Sequence, residues 1–221
     1  SWTVPATAVS GIYFAKLTRT DTGGASHIVF VVRDDASHSD LLFQTSDTTW
    51  QAYNLYPGRA DGGSSLYCNG PLSNAGGDYG CANRAPKVSY NRPFETRDHD
   101  RGSWLFNGEY PMVRWLEQNG YDVASQSGVD SDRLGAAILQ QHRVFLSVGH
   151  DEYWSKSMFD GAQSARDRGV NVAFFGANAV YRQIRLVASP LGPARRQLNY
   201  RSTDDPVRKI NPILTTVSWR E

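Results

Sequence analysis

Short apolar runs of strand length alternate along this chain with stretches where apolar residues recur three and four positions apart. HIVFVV (27–32) and DLLFQ (40–44) read as strands, and VSY (88–90) as a shorter one. Pro111 suits the first turn of a helix whose apolar stripe is Met112, Val113, Trp115 and Leu116. Gly120 stops that helix, and YDVAS (121–125) resumes as strand. Ser131 is placed to cap a helix reaching about Gln141, and VFLSV (144–148) follows as a buried strand. Ser155 caps a helix over 156–168 that Gly169 ends, and NVAFF (171–175) closes the series. Strand and helix in turn, with short links, predict an α/β domain: a mostly parallel sheet with helices on its faces. The pattern does not give the strand order.

One stretch breaks the rhythm. Residues 57–86 are rich in Gly, Ser and Asn and hold both cysteines, Cys68 and Cys81. A loop this long in a compact domain is usually functional or mobile. Few apolar neighbours would bury a free thiol there, so a Cys68 to Cys81 disulfide stands slightly ahead of two thiols. Such a bridge would contribute about 3 kcal/mol in the chain-entropy account and favours a secreted setting over the cytoplasm. Neither cysteine belongs to a CxxC or has a nearby His, which argues against a zinc site on them.

The 221 residues suffice for one large domain, with a net charge of +1. From Tyr181 onward eight basic residues face three acidic ones, so that segment is +5 and the remainder −4. The basic residues are scattered among Pro, Ser and Asn, without the aromatic platforms a nucleic-acid surface would want. They read as a surface waiting for another part of the same protein. No apolar run approaches the ~20 residues of a membrane helix. Aromatics are plentiful, with 11 Tyr among them.

In an open parallel sheet, ligands bind beyond the carboxyl ends of the strands. VFLSV exits into GHDEYW (149–154), NVAFF into GAN (176–178), DLLFQ into TSDTTWQAYN (45–54), and KVS into YNR (90–92). His150 with Asp151 and Glu152 offers metal ligands or an acid/base pair. The competing reading makes the carboxylates companions of a helix start and His150 a turn residue. Trp154 beside them and Asn178 at the neighbouring exit tilt the balance toward a site. Tyr53 and Tyr90 would ordinarily pack through their rings. A Tyr becomes a ligand when the metal can displace a proton of pKa ~10, and ferric iron is the usual case. GxSxG, GxxxxGK[ST] and HExxH are absent, and no GxGxxG follows the first strand.

TSDTTWQAYNLY (45–56), KVSYNRPF (87–94), EYPMVRWLEQNGYDV (109–123), SVGHDEYWS (147–155) and NVAFFGANAVYRQIR (171–185) resemble one family. It is the catalytic-domain family of the large subunit of N,N-dimethylformamidase, and the resemblance runs over about 11–220. It implies a three-layer α/β fold similar to the flavodoxin-like class I glutamine amidotransferases. It also implies a mononuclear iron (Fe3+) held by two tyrosines and one glutamate. By motif these are Tyr53, Tyr90 and Glu152, with Tyr56 the alternative to Tyr53; His150 and Asn178 would orient substrate or move a proton. The implied activity is hydrolysis of the C–N bond of a small amide, with the ion acting as a Lewis acid. Zinc is the weaker choice of metal because Tyr is a poor ligand for it.

In that family the domain continues further and carries another catalytic carboxylate. Residues 1–10 then read as a lead-in and 11–221 as a domain whose C-terminal part is missing, with TTVSWRE (215–221) an interior segment. A further chain or segment, or a second copy of this chain, would complete the site. A reading from another class is a carbohydrate-binding module on the same fold, in which Trp50, Trp104 and Trp154 stack on sugar rings.

Overall fold

Four of the apolar runs pair into one parallel sheet, and two regions without a clear pattern build a second. The computed structural model describes residues 3–58, 61–67, 84–94, 104–201 and 203–220. Strands β1 (Gly11–Thr18) and β2 (Ala25–Val32) form an antiparallel hairpin. The next elements are β3 (Leu41–Thr45), α1 (Asp47–Tyr53), β4 (Lys87–Ser89), α2 (Leu105–Gly108) and α3 (Tyr110–Gln118). Then come β5 (Val123–Ser127), α4 (Gly128–Leu134), α5 (Ala136–Leu139), β6 (Val144–Val148) and β7 (Tyr153–Ser155). The series ends with α6 (Lys156–Asp167), β8 (Asn171–Phe175), β9 (Arg182–Ser189) and β10 (Gly192–Leu198). Two 3-10 turns follow, Pro206–Lys209 and Pro212–Leu214.

The order β5-β3-β6-β8 makes an all-parallel four-stranded sheet. Successive side chains point to opposite faces of a strand, so each strand feeds two cores. Leu42, Ala124 and Phe145 pack with Met158, Ala162 and Ala165 of α6 on one face. Phe43, Leu146 and Val148 pack with Met112, Val113 and Leu116 of α3 on the other. The fold is mixed α/β, and the parallel sheet lies between helices.

The second sheet has the order β4-β10-β9-β7; β7 runs parallel to β9 and the other pairs are antiparallel. The strand around 88–90 therefore belongs here and not to the alternating parallel series. This sheet also accounts for part of the basic segment from Tyr181, which has a partner inside the chain. Arg185 donates to both carboxylate oxygens of buried Asp205, at 2.6 and 2.8 Å. Burial raises the Asp205 pKa, but Arg185 and the N–H and hydroxyl of Thr216 outweigh it and leave the group at about 2.

A folded pKa below the unfolded one stabilises above the unfolded value, and that contribution disappears as pH falls through the folded one. Asp205→Asn is accordingly expected to lower stability by about 3 kcal/mol at pH 7. In urea titrations the wild type should lose stability between pH ~4 and ~2, and the variant should lose much less there.

Two local features explain the helices. Ser127, and not Ser131, caps α4: its Oγ accepts from the Asp130 N–H at 3.1 Å, and Asp130 accepts from the Ser127 N–H at 3.1 Å. Ser131 is buried inside α4, where it accepts from Gln126 at 2.6 Å and donates to Gln44. Gly135, at φ 60°, separates α4 from α5, so the predicted single helix is two. Ser155 caps α6 as predicted, accepting from Met158 N–H at 3.2 Å. Among the described residues no helix is long and apolar enough to cross a membrane. Cys68 and Cys81 lie outside the described residues.

Candidate active site

The exits of β6 and β8 touch backbone to backbone. The Gly149 N–H donates to the Phe175 carbonyl at 3.0 Å, and a Cβ on Gly176 would stand 1.7 Å from the Gly149 carbonyl oxygen. Gly149 itself adopts φ 79°, a conformation that glycine enters without strain. The turn it makes carries His150, Asp151 and Glu152 over the start of α1. Thr49 Oγ1 pins them there, accepting from the N–H groups of Glu152 at 2.9 Å and Tyr153 at 3.2 Å.

Asp151 turns inward. It accepts from Gln44 Nε2 and Ser147 Oγ, each at 2.8 Å, and so ties β3 to β6. Burial pushes its pKa up to about 7. Glu152 turns toward the far end of α1. Its Oε2 accepts from the Tyr53 hydroxyl at 2.7 Å and lies 3.2 Å from His150 Nε2. Its Oε1 lies 3.9 Å from Arg182 Nε. The Tyr53 ring stacks on Tyr67 with centroids 4.5 Å apart and meets His150 at 5.4 Å and Tyr153 at 6.0 Å. Burial, reinforced by the Glu152 carboxylate, raises the Tyr53 pKa far above the ordinary phenol value. Tyr153 is raised for the same two reasons, with Arg201 and Arg182 opposing.

Tyr53, His150 and Glu152 thus come together, and Tyr67 joins them. Tyr90 does not meet this group in the structure. Its hydroxyl donates to Asp47 Oδ2 at 3.3 Å, at the opposite end of α1. Burial lifts Asp47 to about 6, against the hydrogen bonds it accepts from Gly128 and Thr45. Asp47 and Tyr90 line a cavity of ≈ 290 Å³ with Phe94, Ser127 and Arg195. Tyr56 is 40% exposed, whereas Tyr53 faces Glu152. Asn178, at φ 54°, lies on the turn after β8 and lines a cavity of ≈ 610 Å³ with Trp154, Phe174 and Arg220. Two residues on, the Val180 N–H donates to the Asp151 carbonyl at 3.0 Å. Trp50 and Trp154, considered above as sugar platforms, are both buried.

The reading by motif passed over Tyr67, which sits in the Gly-rich stretch. Its neighbour Leu66 is fully buried and its N–H donates to the Ala52 carbonyl at 3.0 Å, docking the loop on the end of α1. Arg92 clamps the same junction, donating to Gln51 Oε1 at 2.9 Å, the Gln51 carbonyl at 3.0 Å and the Ser64 carbonyl at 2.6 Å. Burial lowers its pKa to about 10. The signal in the sequence is a Leu-Tyr pair inside an otherwise small, polar loop.

Among the described residues no three His, Cys, Asp or Glu side chains gather as a metal site. A metal ion beside His150 and Glu152 would therefore draw on the phenols. Compared with known proteins, the chain matches a family model along residues 1–221, the one described as N,N-dimethylformamidase beta subunit-like, C-terminal. No curated protein matches it.

Proposed function

Since the chain belongs to the N,N-dimethylformamidase beta subunit-like, C-terminal family, we propose that it hydrolyses the C–N bond of a small amide at the centre formed by Tyr53, His150 and Glu152. The observation that carries this reading is the convergence of the Tyr53 hydroxyl and His150 Nε2 on one oxygen of buried Glu152, at 2.7 and 3.2 Å. Tyr53 and the His150–Glu152 turn come from distant parts of the chain and meet beyond the strand ends, where an open α/β sheet binds ligands. The parallel sheet between helices is also compatible with the three-layer amidotransferase-like fold.

The donor set fits iron. A proton between Tyr53 and Glu152 occupies the place a cation would take between two hard oxygen donors. The stacked ring of Tyr67 brings a second phenol to the same locus. Phenolates and a carboxylate suit ferric iron better than zinc, which favours nitrogen and sulfur. When bound to Tyr53, Tyr67 and Glu152, the ion would polarise the amide carbonyl and acidify a water. His150, held against Glu152, takes the proton of the attacking water and returns it to the departing amine. The family name denotes a subunit, and β8 leaves Phe174 47% and Phe175 52% exposed on opposite faces of the sheet edge. A further protein segment covering that edge is part of the same proposal.

Amine release from N,N-dimethylformamide and formamide, measured with iron-supplied protein, tests the activity. Failure of folded protein to turn over any small amide would sink it. The ligand set has its own test. Tyr67→Phe is expected to abolish or strongly shift a visible tyrosinate-to-iron band, whereas Tyr90→Phe, at Asp47, should leave that band within a few nanometres. The opposite pattern would restore Tyr90 to the site.

A further inference from the structure

Three guanidinium groups gather beside the site, each placed by a different element. Arg182 opens β9 and lies 3.9 Å from Glu152. Arg201 follows β10, donates to the Tyr153 hydroxyl and places its guanidinium 5.2 Å from the centre of the Tyr67 ring. Arg84 precedes β4 and donates to the Tyr200 carbonyl. Burial, with Arg201 and Arg182 adding to it, pushes the Arg84 pKa below its usual value. Among the described residues the one ion pair that any of the three arginines makes is that of Arg182 with Glu152.

Like charges brought together in a partly buried place need an anion to balance them. Two donors are also unused: the Nε atoms of Arg84 and Arg182 are buried without a hydrogen-bond partner among the described residues. Arg201 is held at φ 52°, which is uncommon for a residue other than glycine. Strain of that kind persists where the surroundings enforce it and clusters at ligand-binding positions.

We propose that Arg84, Arg182 and Arg201 form a carboxylate-binding subsite beside Glu152. The inference rests on the amide-hydrolase reading, because cleavage of an amide leaves a carboxylic acid next to these arginines. A planar carboxylate matches the planar fork of guanidinium donors. The carboxylate has two sources: the acid released by hydrolysis, or a carboxylate already carried by the amide substrate.

Calorimetric titration of the protein with acetate, at constant ionic strength and against chloride, tests the subsite. Saturable acetate binding is expected, weakened at least tenfold in Arg84→Gln. Arg182→Gln is the second variant should the first not fold by circular dichroism, and Arg166→Gln, paired with Asp167 on the surface of α6, should bind as the wild type does. Displacement of acetate by N-formylglycine assigns the subsite to the substrate, and its failure to displace assigns it to the free product. Acetate binding no tighter than chloride, binding undiminished in both variants, or tighter binding of inorganic phosphate would overturn the subsite. Acetate binding without turnover of any amide would overturn the hydrolase reading alone, and turnover without acetate binding would overturn the subsite alone.

Discussion

Glu152→Gln is expected to lower amide turnover by on the order of 10³-fold while leaving the fold intact. The substitution keeps the shape of the side chain and an oxygen to accept from Tyr53. It removes the negative charge on which Tyr53, His150 and Arg182 converge. The backbone of Glu152 should stay in place, because its N–H is held by Thr49 and its carbonyl accepts from the N–H groups of Tyr181 and Arg182, each at 2.9 Å. A kcat within tenfold of the wild type, with an unchanged urea midpoint, would show that the carboxylate does no chemistry.

The second large effect concerns backbone. Gly176→Ala places a methyl group 1.7 Å from the Gly149 carbonyl oxygen and 2.8 Å from its carbon. Neither atom belongs to a flexible side chain, so the exits of β6 and β8 must separate. A loss of about 3 kcal/mol in urea unfolding is expected. Turnover should fall further than the unfolded fraction explains, because the displaced turn carries His150 and Glu152. Wild-type stability in this variant would mean that the two exits do not touch.

Much of the parallel sheet is legible in the sequence because its strands are short apolar runs, with β3 and β6 at its centre buried on both faces. DLLFQ, VFLSV and NVAFF read as apolar runs and become β3, β6 and β8. Capping is legible where a serine stands three residues before a usable partner, and two serines compete for that role at α4. Ser127 prevails because Asp130 can return the hydrogen bond, whereas Ser131 is drawn into the buried contacts of Gln44 and Gln126. The second sheet is harder to see. RQIRLVAS and GPARRQL of β9 and β10 mix charge with apolar residues, so periodicity hides them beneath their basic composition. Their register becomes clear only through long-range partners such as Asp205 for Arg185.

The candidate site divides in the same way. GHDEYW stands out because a titratable cluster follows a buried strand, but its three polar residues do not share a task. Asp151 points into the protein at Gln44 and Ser147, while His150 and Glu152 point at Tyr53. Which tyrosine joins Tyr53 depends on loop closure. Tyr90 follows a short strand in a readable motif, yet its hydroxyl reaches Asp47. Tyr67 lies in a stretch with little pattern, and the docking of Leu66 on α1 delivers it.

Titration of the purified protein with ferric iron, followed by visible absorption, tests the central claim most directly. A charge-transfer band that saturates at one iron per chain in the wild type and is absent in Tyr53→Phe is the expected result. A folded wild-type protein that retains no iron and develops no band would contradict it.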